Sequence, residues 1–183
     1  MNKDMEDFAM EDLRYPIGQF HLEGAISRGQ VQAWIGELAK CPEALRQAVA
    51  GLSAEQLDTP YRPGGWTVRQ VVHHLPDADL LNYARFRWTL TEEQPTIPGW
   101  NKDRWAALPD AQLGPTDVSL TLLEAIHQRW DLLLRAMTPQ DFARTFHHPT
   151  RGLMTLDHAL GIYAWHGRHH VAHITSLRTR MGW

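Results

Sequence analysis

The chain predicts an all-α fold: a four-helix bundle with a long crossover connection. Three observations carry this. Four long stretches repeat apolar residues at helical spacing, strand-like alternation is nearly absent, and one proline-rich connection is long enough to run from one end of a bundle to the other. All 183 residues are read as a single domain, with residues 1–26 an irregular lead-in punctuated by Pro16 and Gly18.

The first helical pattern starts near Ser27 and runs as VQAWIGELAKCPEALRQAVAGL, with a kink or restart expected at Pro42. Ser53 and Gln56 have capping-box spacing for a short helix, and DTPYRPGGW is a loop by its Pro and Gly content. Thr67 is placed to cap VRQVVHHLPDADLLNYARFRWTL, where Pro76 should cost a backbone hydrogen bond. Residues 91–117 hold Pro95, Pro98, Pro109 and Pro115 and form the crossover. A third helix follows as SLTLLEAIHQRWDLLLRAM, and TPQDFARTFHHPTRG reads as a helical turn and a loop. The last helix begins near Thr155 and ends at MGW.

Composition narrows the function. Apolar residues make up 43% and charged residues 21%, ordinary globular values. A net charge of −3 and a pI near 6.4 give no electrostatic case for nucleic acid or an anionic membrane. One cysteine, Cys41, excludes an internal disulfide and a cysteine-rich zinc site, and reads as inert packing. The acidic N-terminus lacks a signal core, and no apolar run reaches membrane-spanning length, so a cytoplasmic location is expected. The anomaly is histidine, at 11 residues.

Four of these fall in WHGRHHVAH: His166, His169, His170 and His173. Histidines four apart share a helix face and can share a metal. With His170 at the origin of a helical wheel, Ile174, Tyr163, Leu177 and Leu160 fall within roughly 80° of it, and His166 lies inside the same arc. His173 and His169 fall progressively off it, nearer the rim. Two ligands are too few, because an open zinc site usually takes three. His74 shares a face with Val71, Ala78 and Leu81 and is the better third ligand. His73 goes with Arg69 and Asp77, toward the outer shell or surface. His127, on a stripe with Leu120, Leu123, Trp130 and Leu134, is either a core histidine with one hydrogen bond or a supporting group or general base in the pocket. Arg62 is either a solvated loop residue or a contact for a substrate carboxylate. Asp77 and Asp79 are weaker candidates for moving a proton. His21, His147, His148 and His158 read as structural. The pair is not HExxH, and no GxSxG elbow or phosphate-binding glycine loop is present.

The motif PYRPGGWTVRQVVHHL followed by WHGRHHVAHI resembles the DinB-like metalloprotein superfamily, specifically its YfiT-type branch. RYPIGQF, AVAGLSAEQLDTPYRPGGW, LTEEQP and AHITSLRTRMGW extend the likeness from about Leu13 to Trp183. The resemblance implies a four-helix bundle with a long crossover and one divalent metal, zinc or nickel. By motif its ligands are His74, His166 and His170, the three that the wheel selects. Relatives carry hydrolase names, other members transfer bacillithiol or mycothiol to electrophiles, a related branch includes thiol-dependent isomerases, and homodimers are common. Pro76 and Asp79 depart from the branch, which more typically has a non-proline residue and a further histidine there.

The expected function is therefore a metal-dependent, thiol S-transferase-like enzyme acting on a small thiol and an electrophile. The alternatives are a hydrolase using metal-activated water on a small substrate, or a non-catalytic metal-binding stress protein. A fourth protein ligand, with His127 the candidate, would argue for the last.

Overall fold

The computed structural model describes residues 13–183. Four long helices form the bundle: α1 (Arg28–Val49), α3 (Val68–Thr91), α6 (Thr116–Ala136) and α8 (Leu156–Met181). Short helices α2 (Ala54–Leu57), α4 (Lys102–Ala106), α5 (Pro109–Leu113) and α7 (Pro139–Phe142) lie in the connections. Helix starts follow local chemistry. Ser27 with Gln30, Ser53 with Gln56, Thr67 with Gln70 and Thr138 with Asp141 each form a capping box that satisfies two otherwise orphaned backbone donors.

Contacts fix the order of the helices. Cys41 meets Gly167 and Arg178 reaches the carbonyls of Ala48 and Ala50, so α1 and α8 lie side by side and parallel. His73 meets Ser119 and Phe86 meets Trp130, so α3 and α6 are also parallel. His74 beside His166, and Arg85 beside Tyr163, make α3 and α8 antiparallel. The bundle thus runs up, down, down, up. The crossover carries the chain back along α3, tied by Gln70 to the Ala106 carbonyl and by Arg69 to that of Gly114.

Two expectations change locally. No restart occurs at Pro42, which like Pro76 sits inside an unbroken helix. Pro42 cannot donate to the Leu38 carbonyl, and His127 Nδ1 donates to it instead at 2.9 Å, which removes the reason for a break. The segment read as a loop after α7 contains a hairpin, β1 (Thr145–His148) with β2 (Gly152–Thr155), and the crossover joins it through a bridge between Thr96 and His147.

The apolar core divides at mid-height. One cluster includes Ile35, Leu38, Phe86, Trp130, Phe146 and Leu160; the other includes Leu45, Val71, Leu75, Leu123, Ile174 and Leu177. Between them the bundle buries polar side chains: His74, Asp79, Asn82 and Arg85 from α3, His127 from α6, and His169, His170 and His173 from α8. No helix among the described residues is long and apolar enough to cross a membrane.

Candidate metal centre

Each site residue owes its position to its helix. His74 lies two turns into α3, and the loop before it delivers Trp66 over the site. That loop needs Gly64, at φ +64°, and Gly65, where a Cβ would come within 2.8 Å of Arg62 Cγ. Gly167 lets α8 approach α1, since a Cβ there would lie 2.7 Å from Cys41 Sγ.

His74, His166 and His170 come together. His166 Nε2 lies 3.3 Å from His74 Nε2 and 3.1 Å from His170 Nε2. One ligand atom from each fits within a 4.8 Å cluster. Aromatic rings wall it: Trp100 stacks on His74 at 5.6 Å, and Trp66 lies 4.6 Å from His74 and 6.2 Å from His170. Burial pushes all three histidines below their usual pKa. His166 adds to this at His74 and His170, and Asp79 opposes it at His166. All three rings are neutral at pH 7.

His173 fixes one tautomer. Its Nε2 donates to the Arg14 carbonyl at 2.9 Å. Burial holds its pKa down to about 4, so the ring is neutral and Nδ1 is a bare acceptor. His170 Nδ1 donates to that acceptor at 3.3 Å, which leaves the lone pair of His170 on Nε2, facing the other two rings. A proton on His166 Nε2 can bridge to one neighbour; a divalent cation satisfies all three lone pairs. The buried His166 Nδ1 has no partner among the described residues. Three neutral imidazoles with no interposed carboxylate fit zinc or another borderline divalent ion.

The wheel placed His173 and His169 near the rim, and the structure corrects this. Both are buried. His173 stacks on Tyr61 at 3.9 Å, and His169 lies between Trp165 and Tyr15. The cause is the lead-in, whose residues 14–20 run back along α8. Arg14 bonds His173 there, and the Gly18 carbonyl accepts from Trp165 Nε1. His73 is likewise buried rather than superficial. It donates to the Gly114 carbonyl and accepts from the Ser119 hydroxyl at 2.7 Å.

His127 lies apart from the cluster. Its Nδ1 is committed to Leu38, and its Nε2 shares a proton with Asp79 Oδ2 at 2.8 Å. Arg62 lines the cavity beside the site and donates to the Tyr61 hydroxyl and the Pro63 carbonyl. Asp77 is half-buried, with burial raising its pKa to about 6. The cavity measures about 630 Å³. Its charged lining is Arg14, Arg62, Arg85, Lys102 and Arg151 against one carboxylate, Asp103. Residues that sequence reasoning missed are Arg85, Asn82 and His148, all on the cavity wall.

Comparison with known proteins assigns the family. A sequence profile of the DinB superfamily matches residues 37–174. The chain belongs to the DinB superfamily. A Bacillus mycoides (strain KBAB4) relative, named "Putative metal-dependent hydrolase", is 52% identical over 174 residues, covering 95% of this chain and all of that one. A Bacillus cereus (strain AH820) relative of the same name matches to the same extent. Among solved structures, YfiT from Bacillus subtilis, described as "a probable metal-dependent hydrolase with an unusual four-helix bundle topology", superposes with a TM-score of 0.91 at 49% identity. The match covers 94% of this chain and 99% of YfiT. The up, down, down, up order is this chain's form of the DinB bundle.

Proposed function

We propose that the chain is a metal-dependent enzyme that transfers a small thiol to an electrophile, using zinc or nickel held by His74, His166 and His170. One observation carries this reading. The three imidazoles converge on a cavity without a fourth protein ligand among the described residues, and the only lining carboxylate there, Asp103, is paired to Lys102 at 3.0 Å. A divalent cation in this place supplies Lewis-acid charge that lowers the pKa of an arriving thiol or water.

A free thiol ionises near pH 8.5 and water near 15.7, on the order of seven units apart. A site without a carboxylate base therefore suits the thiol better. The protein's own groups bind and shield. Trp66 and Trp100 keep water from one side of the cluster and offer flat apolar walls to an electrophile. The cationic lining draws in anionic reactants although the whole chain carries −3.

Hydrolysis is the second reading, favoured by the names of the relatives. It uses the same histidines and a small ester or amide.

Metal analysis and two assays test these readings. One metal per chain is expected, and His74→Ala, His166→Ala and His170→Ala should each lose it. The metal-loaded protein should conjugate a small thiol to monochlorobimane faster than the metal-free control. Ester hydrolysis without conjugation would transfer the assignment to the hydrolase. Metal binding with neither activity would leave a metal-binding protein.

A further inference from the structure

Arg85 is a buried cation with no counter-ion among the described residues. It projects from the interior of α3 and is 5% exposed. Its Nη1 donates to Asn82 Oδ1 at 2.9 Å and to the Tyr163 hydroxyl at 3.3 Å, both neutral oxygens. Its Nε has no acceptor among the described residues, and no carboxylate lies within ion-pair distance of the guanidinium there. Asp79, six residues earlier on α3, is already spent: Oδ1 accepts from Asn82 at 3.0 Å and Oδ2 bonds His127. Burying a guanidinium is costly unless a charge answers it. Arg85, Asn82 and Tyr163 all line the cavity, so the space that could hold that charge is the one the histidines open onto.

The placement is regular. Arg85 follows His74 by eleven residues, about three turns, and so sits on the same face of α3. Tyr163 precedes His166 by one turn on the antiparallel α8. The guanidinium lies beside Asn82, eight residues from His74, which puts it roughly 8–12 Å along the bundle from the histidine cluster. His148 and Arg151 of the hairpin line the same end, and the two arginines help hold the His148 pKa down, after burial.

We propose that Arg85 binds a carboxylate of the small molecule whose reacting end meets His74, His166 and His170. This rests on the reading of that cavity as the active site. A planar guanidinium with N–H groups unspent matches a carboxylate in geometry and charge. Neutral Asn82 and Tyr163 orient the guanidinium without cancelling it.

Two titrations test this. In the first, metal-free protein is titrated with glutarate and with the uncharged diol of equal length. The wild type should bind glutarate saturably and prefer it to the diol. Arg85→Gln and Arg85→Lys should each weaken glutarate about tenfold or more. Arg87→Gln, which removes an exposed charge from the same helix, should change nothing. Arg85→Lys keeps the buried charge, so it reports even if Arg85→Gln fails to fold. No glutarate binding by the wild type, or equal binding by the folded Arg85→Lys protein, would overturn the proposal.

In the second, cobalt-loaded protein is titrated with ω-mercaptocarboxylates from mercaptoacetate to mercaptoundecanoate, and with mercapto-alcohols of matching length. The carboxylate advantage, read from the visible bands, should peak at an intermediate length and vanish in Arg85→Lys. If no thiol perturbs the cobalt bands while glutarate binding still depends on Arg85, the thiol-transfer reading fails and the carboxylate site stands. If thiols perturb the bands with no carboxylate advantage at any length, the carboxylate site fails and the thiol reading stands.

Discussion

The ring of His173 lies between a carbonyl that can only accept and a histidine that must present its lone pair elsewhere. Removing it should leave His170 in place but free to rotate and change tautomer. His173→Phe, which keeps the stack on Tyr61, should weaken metal binding roughly 10–100-fold in a chelator competition, with the fold intact by circular dichroism. His127 should behave in the opposite way. His127→Ala strands the Leu38 carbonyl and the Asp79 carboxylate in a buried layer and should cost about 3 kcal/mol in urea unfolding, while metal stoichiometry stays at one. The contrast shows what the residues disclosed in advance. The inward aim of His74, His166 and His170 was legible, because a ligand on a long helix inherits the period of that helix. The burial of His173 was not, because Tyr61 and the 14–20 segment cover it and neither has a period to read. Arg85 was hidden for a different reason. A charged residue in a helical pattern is ordinarily assigned to solvent, and only its spacing from His74 marked it as inward.

At the level of elements, α1 and α8 approach closely at Cys41 and Gly167. Gly167→Ala would put a methyl carbon 2.7 Å from Cys41 Sγ, so the helices must part or Cys41 must turn. Overpacking of this kind should cost about 1–3 kcal/mol in urea unfolding, and adding Cys41→Ala should recover part of it. The same burial pushes the Cys41 thiol far above its usual pKa, consistent with packing rather than reactivity. The four long helices were readable from apolar spacing and, for α3, from Thr67 as its cap, and the short α2 from Ser53. The hairpin was not, since strands of four residues are too short to display alternation and their pairing depends on a crossover residue distant in sequence. Pro42 misled for a related reason: the acceptor it abandons is rescued by a side chain from another helix.

For the whole molecule, the mid-height polar layer makes stability depend on pH. His74, His166, His169, His170 and His173 all have folded pKa values below the usual 6.5, with His169 at about 3 and His173 at about 4. As pH falls below about 6.5, the unfolded chain takes up protons that the folded chain refuses, so stability is lost. Asp77, raised to about 6, has the opposite sign between about pH 4 and pH 6, but it is one group against these five and against His73 and His148, which are also lowered. The guanidinium unfolding midpoint of metal-free protein should therefore be lower at pH 5 than at pH 7, and a flat profile would contradict the assignment of these rings as neutral. The order of the helices in space was beyond sequence pattern, because apolar stripes say that helices pack and not which neighbours they choose. The segment at residues 14–20 has a further consequence. It is a wall of the cavity and also holds the carbonyl on which the His173 tautomer depends. Local unfolding of this strap would open that wall of the cavity and unlock His170 in the same event. Admission of large molecules and retention of the ion are then opposed outcomes of one breathing motion, and hydrogen exchange in that segment should rise and fall with the rate at which the metal escapes.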